Sequence, residues 1–175
     1  WTGSGFFIKR NNEYYIITVA HNVTLSHRDT KIEQVVASIS NKNNESIHVS
    51  YECSIVGVAA LADIAVLKVN GQITNHTHLE WGNSRNSIPG DICYVLGDPQ
   101  GVDAISISKG VVRDNKFTYD NSIEYLSTDA SIYSGNSGSP ILDSNGKILG
   151  IISFTIGDGN TLGAGASQFI MEYVV

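Results

Sequence analysis

Residues 135–154, GNSGSPILDSNGKILGIISF, carry two apolar runs on either side of an Asp-Ser-Asn-Gly tetrapeptide. Asn-Gly favours the backbone of a tight turn, and the Ile-rich flanks suit a pleated, half-buried surface, so the stretch reads as an antiparallel hairpin. Just ahead of that hairpin, Gly135 and Gly138 bracket a single serine, Ser137. Two readings of the cluster compete. One is a surface turn joining strands; the other is a turn bent to expose a nucleophilic hydroxyl and aim main-chain N–H groups at a developing oxyanion.

The same pattern recurs along the chain. GFFIKR, EYYIITVA, KIEQVVASI, SIHVSYECSIVGV, DIAVLKV, DICYVLG, AISISKGVVR, SIEYLSTD and GAGASQFI are short runs rich in β-branched and aromatic residues, with turns such as KRNN and GDGN between them. Such spacing implies an all-β sandwich or barrel. No segment holds a long 3.6-residue apolar period, and only two short helical pieces are expected, one after Ala20 and one over the C-terminal QFIMEYVV. The polar, turn-rich stretch NGQITNHTHLEWGNSRNSIPGD divides the strands into two sets and reads as a connector between two β-barrels.

Composition narrows the function. With 175 residues the chain can bury a proper core as one domain or two small halves. A net charge of -6 with scattered Lys and Arg argues against a nucleic-acid partner. Apolar runs such as ILGIISF fall far short of the roughly 20 residues that span a bilayer, and no charged-then-apolar leader is seen, so the chain reads as a soluble domain without a membrane span. Cys53 and Cys93 are too few for a disulfide framework and lack metal-site spacing; both read as buried strand residues. Asn22-Val-Thr, Asn44-Glu-Ser and Asn75-His-Thr fit the glycosylation acceptor pattern, which an Asn-rich chain produces readily by chance.

A nucleophilic serine needs a base, and histidine is the side chain whose ordinary pKa suits that role near neutrality. Of the five histidines, His27, His48, His76 and His78 lie in polar or strand-edge surroundings, whereas His21 directly follows the apolar strand of YYIITVAHNV. The base needs an orienting carboxylate. Asp63 heads the apolar DIAVLKV while most other acids sit in polar turns. The order His, Asp, Ser differs from the Ser, Asp, His order of lipase-like α/β-hydrolases. Those enzymes also need Gly-x-Ser-x-Gly, and here the last position is Ser139.

These residues resemble the chymotrypsin-like serine proteases, and within them the HtrA/Deg-type branch. GSGFFI with YIITVAHNV is similar to that branch's first strands and histidine motif, DIAVLKV to its aspartate motif, WGNSRNSIPGDICYVLGDPQG to its inter-barrel segment, and TDASIYSGNSGSPILDSNGKILGI to its nucleophile region. The resemblance implies two antiparallel six-stranded β-barrels with the active site between them and a short C-terminal helix. Residues 1–70 would form the first barrel, 71–90 the connector and 91–175 the second barrel.

Carried over residue by residue, the resemblance implies His21 as base and then acid, Asp63 as its orienter and Ser137 as nucleophile. The oxyanion hole would be the N–H groups of Gly135 and Ser137, with Asn136 shaping the turn between them. The strand ISFT would pair with the substrate, with Ser153 near the triad carboxylate and Phe154 and Thr155 alongside the bound peptide backbone, and Ser131, Gly165 and Ser167 would line the primary specificity pocket. None of these is charged, so small or medium apolar side chains before the scissile bond are expected rather than Lys or Arg. The implied partner is a polypeptide, extended or unfolded, with no metal and no cofactor. Asn136 stands where the digestive enzymes carry an acid that pairs with a newly cut N-terminus, so activation by N-terminal insertion is not expected. Two alternatives stand beside this reading: a catalytically silent module of the same fold, and a protease dedicated to one partner or to its own precursor. Neither the oligomeric state nor the compartment follows from the sequence.

Overall fold

The computed structural model describes residues 3–24, 34–41, 44–73, 76–97, 105–118, 124–154 and 164–166, which build two sheets. The first holds β1 (Phe6–Arg10), β2 (Glu13–Thr18), β3 (Val35–Asn41), β4 (Asn44–Ala59) and β5 (Ile64–Val69), in the spatial order β1-β2-β5-β4-β3 with every pairing antiparallel. The KRNN turn closes β1 onto β2 because Asn11 and Asn12 both take the left-handed region, with φ of 48° and 64°, which asparagine tolerates better than bulkier residues. Central β5 is buried at every position except half-buried Lys68, as expected of a strand covered on both faces.

The second sheet holds β6 (Glu80–Trp81), β7 (Ile92–Gly97), β8 (Ser106–Thr118), β9 (Glu124–Thr128), β10 (Pro140–Asp143), β11 (Lys147–Ile152) and β12 (Ala164–Ala166). Its order β10-β7-β8-β9-β12-β11 returns from β11 to β10, so six strands close into a ring, and β6 joins β11 in parallel from outside. The hairpin read from residues 135–154 is β10–β11. The Asp143 carboxylate accepts the N–H groups of Asn145 and Lys147, each at 2.8 Å, and Gly146 takes a φ of 75°.

The all-β architecture of two strand-built halves is therefore present. The second barrel closes with six strands. The first shows five among the described residues, of which β4 is 16 residues long and bulged between Ile55 and Gly57. The short helical piece expected after Ala20 is a single 3-10 turn over Ala20–Asn22. The expected C-terminal helix lies outside the described residues.

Three apolar clusters hold these sheets together. One fills the first sheet with Ile16, Val23, Cys53, Ala65, Leu67 and Val69. Another fills the second with residues such as Cys93, Val95, Val112, Leu126, Ile141 and Ile152. The third crosses the seam, bringing Phe6, Ile8, Ile17, Ile64 and Val66 of the first sheet against Tyr125, Leu142, Ile148 and Ile151 of the second. Burying an Ile or Phe side chain is worth about 1.5–3 kcal/mol, so this seam is itself a source of cohesion. The two cysteines are free and buried as expected, Cys53 in the first half and Cys93 in the second, and burial pushes both thiol pKa values up. Among the described residues no helix is long and apolar enough to cross a membrane, and no cluster of three potential metal ligands occurs.

Candidate active site

His21 and Asp63 reach the seam by the same local device, a strand of the first sheet meeting a single 3-10 turn. β2 runs through buried Ile17, Thr18 and Val19 into Ala20–Asn22, where the Thr24 hydroxyl donates to the Ala20 carbonyl at 2.8 Å. Before β5, the turn Ala60–Ala62 ends on Asp63 with φ 52°, a left-handed conformation that aspartate adopts more readily than most residues. The two turns join where Ala20 N–H donates to the Asp63 carbonyl at 3.0 Å.

The Asp63 carboxylate grips the histidine twice. His21 Nδ1 lies 2.7 Å from Oδ2, and the His21 main-chain N–H donates to Oδ1 at 2.9 Å. An ionised carboxylate can only accept, so it selects the tautomer protonated at Nδ1 and leaves Nε2 with an open lone pair. A further donor arrives from the second half, the Ser153 hydroxyl on Asp63 Oδ2. The imidazole is thus fixed in orientation while its side chain stays 44% exposed, so solvent can reach it.

The loop that carries Ser137 is held with equal detail. Gly135 takes φ 100° and Gly138 φ 91°, both in the region where a side chain is strained. A Cβ on Gly138 would also lie 2.0 Å from the Ser4 carbonyl oxygen, so the chain passes here only as glycine. Inside the loop, Asn136 N–H donates to the Tyr133 carbonyl (3.0 Å), Gly138 N–H to Ile152 (2.8 Å) and Ser139 N–H to Asn136 (2.8 Å). The N–H groups of Gly135 and Ser137 meet no acceptor among the described residues. Two open N–H groups, one on the serine itself and one two residues before it, are what an oxyanion needs.

Ser137 is tied to the histidine turn through its main chain. Its carbonyl accepts from Asn22 Nδ2 at 2.9 Å and from Ser4 N–H at 2.8 Å. Asn22 directly follows His21, so one side chain links the two loops. That amide also donates to the Thr18 hydroxyl at 3.1 Å. The first glycosylation motif is therefore occupied by packing.

The Ser137 side chain opens on a cleft of about 340 Å³ lined by Ile132, Tyr133, Ser134, Ile152, Ser153 and Phe154. Phe154 is set edge-on against buried Tyr125 at a ring separation of 5.1 Å, and none of the described residues lining the cleft is charged. Ser131, adjacent to Ile132 of that lining, is exposed, and its carbonyl accepts the Ser108 hydroxyl at 2.7 Å. Gly165 sits in β12 between Ile151 and Tyr125. Thr155 and Ser167 lie outside the described residues. Asn136 is 2% exposed, and its Oδ1 and the buried Ser139 hydroxyl find no partner among the described residues. Both atoms face Gly97, where a Cβ would come within 2.5 Å and 2.2 Å of them. Ser139 does not take a positive φ, which is why a serine is accommodated at that position.

Sequence reasoning missed two residues that hold this site together, Ser4 and Asn22. The signal for Ser4 was present in Gly3-Ser4-Gly5: a Cβ on Gly3 would lie 2.2 Å from the Asn22 side chain, so a larger residue there would have to displace the Asn22 amide.

A histidine, a carboxylate and a glycine-framed serine thus stand at the seam of two strand-built halves. The chain belongs to the family of the trypsin-like peptidase domain, whose profile matches residues 3–151. It is 31% identical over 173 residues to the serine protease Do-like HtrA of Bacillus subtilis, covering 94% of this chain and 36% of that protein. It is 29% identical to a probable periplasmic serine endoprotease DegP-like of Pseudomonas putida, covering 86% of this chain and 28% of the relative. Against the serine endoprotease DegS of Haemophilus influenzae the identity is also 29%, with 89% and 42% covered. The crystal structure of Deg5 superposes with a TM-score of 0.80 at 28% identity, covering 98% of this chain and 81% of that one. The chain spans from 28% to 42% of the length of these curated relatives.

Proposed function

We propose that this chain is a serine endopeptidase domain that cleaves extended or unfolded polypeptide through an acyl-enzyme at Ser137. The observation that carries the reading is the double grip of Asp63 on His21, at 2.7 Å and 2.9 Å, beside Ser137, whose own N–H and that of Gly135 meet no acceptor among the described residues. Family membership supports it, as do the serine protease names of the relatives.

In this mechanism His21 Nε2 takes the proton from Ser137 Oγ as the oxygen attacks the scissile carbonyl carbon. The carbonyl oxygen becomes an oxyanion held by the N–H groups of Gly135 and Ser137, with Asn136 shaping the turn. Collapse breaks the C–N bond, and His21 delivers its proton to the leaving amine. Water then adds to the ester by the same proton path and frees Ser137. Asp63 keeps the proton on Nδ1 and stabilises the transient imidazolium. No step calls for a metal or a cofactor.

The substrate would lie as an added strand along Ser153, Phe154 and Thr155, held by main-chain hydrogen bonds that tolerate many sequences. Ser131, Gly165 and Ser167 would contribute to the specificity pocket, and the lack of charge among the described lining residues favours a small or medium apolar side chain before the scissile bond. On this reading residues 1–70 and 91–175 are the two barrels and 71–90 the connector.

The test is labelling of the folded domain with a fluorophosphonate, read by mass spectrometry, in wild type, Ser137→Ala and His21→Ala. The expected result is one adduct on Ser137 that is absent from both variants. A folded wild type that takes no label would overturn the proposal.

A further inference from the structure

We propose that Ser4, outside both strands and turns of the triad, is a positioning residue that sets the oxyanion loop through its hydroxyl. The inference rests on the serine endopeptidase reading above. Ser4 precedes β1 and belongs to the first half, yet its contacts run to the nucleophile loop of the second. Its Oγ donates to the Gly135 carbonyl at 2.8 Å, and its N–H donates to the Ser137 carbonyl at 2.8 Å. Its own carbonyl accepts the Thr18 hydroxyl at 2.7 Å, which anchors it from behind to β2.

The geometry explains what the hydroxyl does. The peptide joining Gly135 to Asn136 lies between the two N–H groups assigned to the oxyanion. That peptide is held at both ends, its C=O by Ser4 Oγ and its N–H by the Tyr133 carbonyl at 3.0 Å. With this plane pinned and the Ser137 carbonyl drawn to Ser4 N–H and Asn22 Nδ2, both carbonyls face the first half. The N–H groups of Gly135 and Ser137 stay open. Gly135 at φ 100° has no Cβ to restrict rotation, so without Ser4 Oγ the plane would be fixed at one end only. A glycine-framed loop needs this outside restraint, because an oxyanion hole is effective only when its donors are oriented before the charge develops.

The approach is too close to be incidental packing. Gly3 and Gly5 flank Ser4, and a Cβ on either would lie 2.2 Å from the Asn22 side chain or 3.0 Å from the Ile17 carbonyl oxygen. Gly138 offers no room either, its would-be Cβ lying 2.0 Å from the Ser4 carbonyl oxygen. Three glycines therefore clear a path that delivers one hydroxyl to one carbonyl.

The experiment compares Ser4→Ala and Ser4→Thr with wild type by four readouts: kcat and KM on a peptide ester, affinity for a peptidyl boronate, affinity for the matching cleaved peptide, and the melting midpoint. The boronate forms a tetrahedral adduct on serine with an oxygen in the hole, whereas the cleaved peptide does not probe it. Loss of a donor itself typically costs on the order of 10²–10³ in rate, so loss of its support is expected to cost roughly tenfold. For Ser4→Ala we expect kcat and boronate affinity to fall together by that factor, KM and cleaved-peptide affinity to stay unchanged, and the protein to melt cooperatively. Ser4→Thr, which keeps the hydroxyl, should restore most of the loss. Unchanged kcat and boronate affinity in Ser4→Ala, with wild-type Ser137 labelled by a fluorophosphonate, would overturn the positioning role alone. An Ala variant that no longer folds would also overturn it, by making the hydroxyl a structural clamp. A folded wild type without label at Ser137 would overturn both this inference and the reading beneath it.

Discussion

At the scale of single residues, Asp63 is the most heavily used side chain of the site. Its carboxylate takes His21 Nδ1, the His21 main-chain N–H and the Ser153 hydroxyl, two of the three on the same oxygen. Asp63→Asn would replace one acceptor oxygen by a donor NH2, which opposes the Nδ1-protonated tautomer. On the proposed mechanism kcat should fall by about 10⁴-fold with folding intact. Ser153→Ala leaves the carboxylate its two histidine donors and should cost about tenfold, the scale of one hydrogen bond to a charged group. Steady-state kinetics on a peptide ester, with melting curves as control, checks both, and an Asp63→Asn enzyme within tenfold of wild type would remove Asp63 from the mechanism. Asp63 and His21 were legible in sequence because each sits at the end of an apolar strand, a local signal. The glycines beside Ser4 marked a close approach, but the roles of Ser4 and Asn22 were not legible, because they act on carbonyls 131 and 115 residues away, and no local pattern encodes the partner of a main-chain carbonyl.

At the scale of elements, the hairpins were readable because turn residues announce them: Asn11 and Asn12 between β1 and β2, Asp143 and Gly146 between β10 and β11. Ring closure was not readable, since it depends on β11 pairing with β10 on one side and β12 on the other. The parallel pairing of β6 on β11 was equally hidden, because β6 is only two residues long and lies in a segment read as connector. Two devices keep that short strand in place. The Asn115 amide donates to the carbonyls of Arg85 and Ser87 at 3.2 Å and 2.7 Å, fastening the following turn to β8. Lys147 on β11 pairs with Glu80 on β6, and the ammonium holds the Glu80 carboxyl below the ordinary carboxylate range. A carboxyl whose folded pKa is lowered contributes stability above its unfolded pKa and loses that contribution as pH falls through the folded value. Glu80→Gln should therefore melt slightly below wild type at neutral pH, and the two curves should converge below about pH 4. Melting midpoints across that range test this, and a gap that persists in acid would assign the effect to packing instead. The pair is exposed, so the gap should also shrink in high salt.

At the scale of the whole molecule, each half carries its own apolar cluster and a third spans the seam on which the site is assembled. The hydrogen bonds from Ser4, Asn22 and Ser153 cross that same seam. The expected consequence is that the halves do not open separately: losing either would expose the shared cluster and strip the other of those bonds. The chain contains its own reporters for this, because Cys53 is buried in the first half and Cys93 in the second, both as free thiols held in the un-ionised form by burial. Thiolate is the reactive species, so neither should be alkylated until its surroundings open. In a time course with an alkylating reagent at gradually raised urea, a single opening event would mark both sulfurs at the same rate and yield doubly modified chains with few singly modified ones. Accumulation of chains modified only at Cys53 would mean that the five-strand half breathes while the closed ring stays shut. The order in which two buried sulfurs meet a reagent is thus a clock for whether the two barrels live and fail as one body.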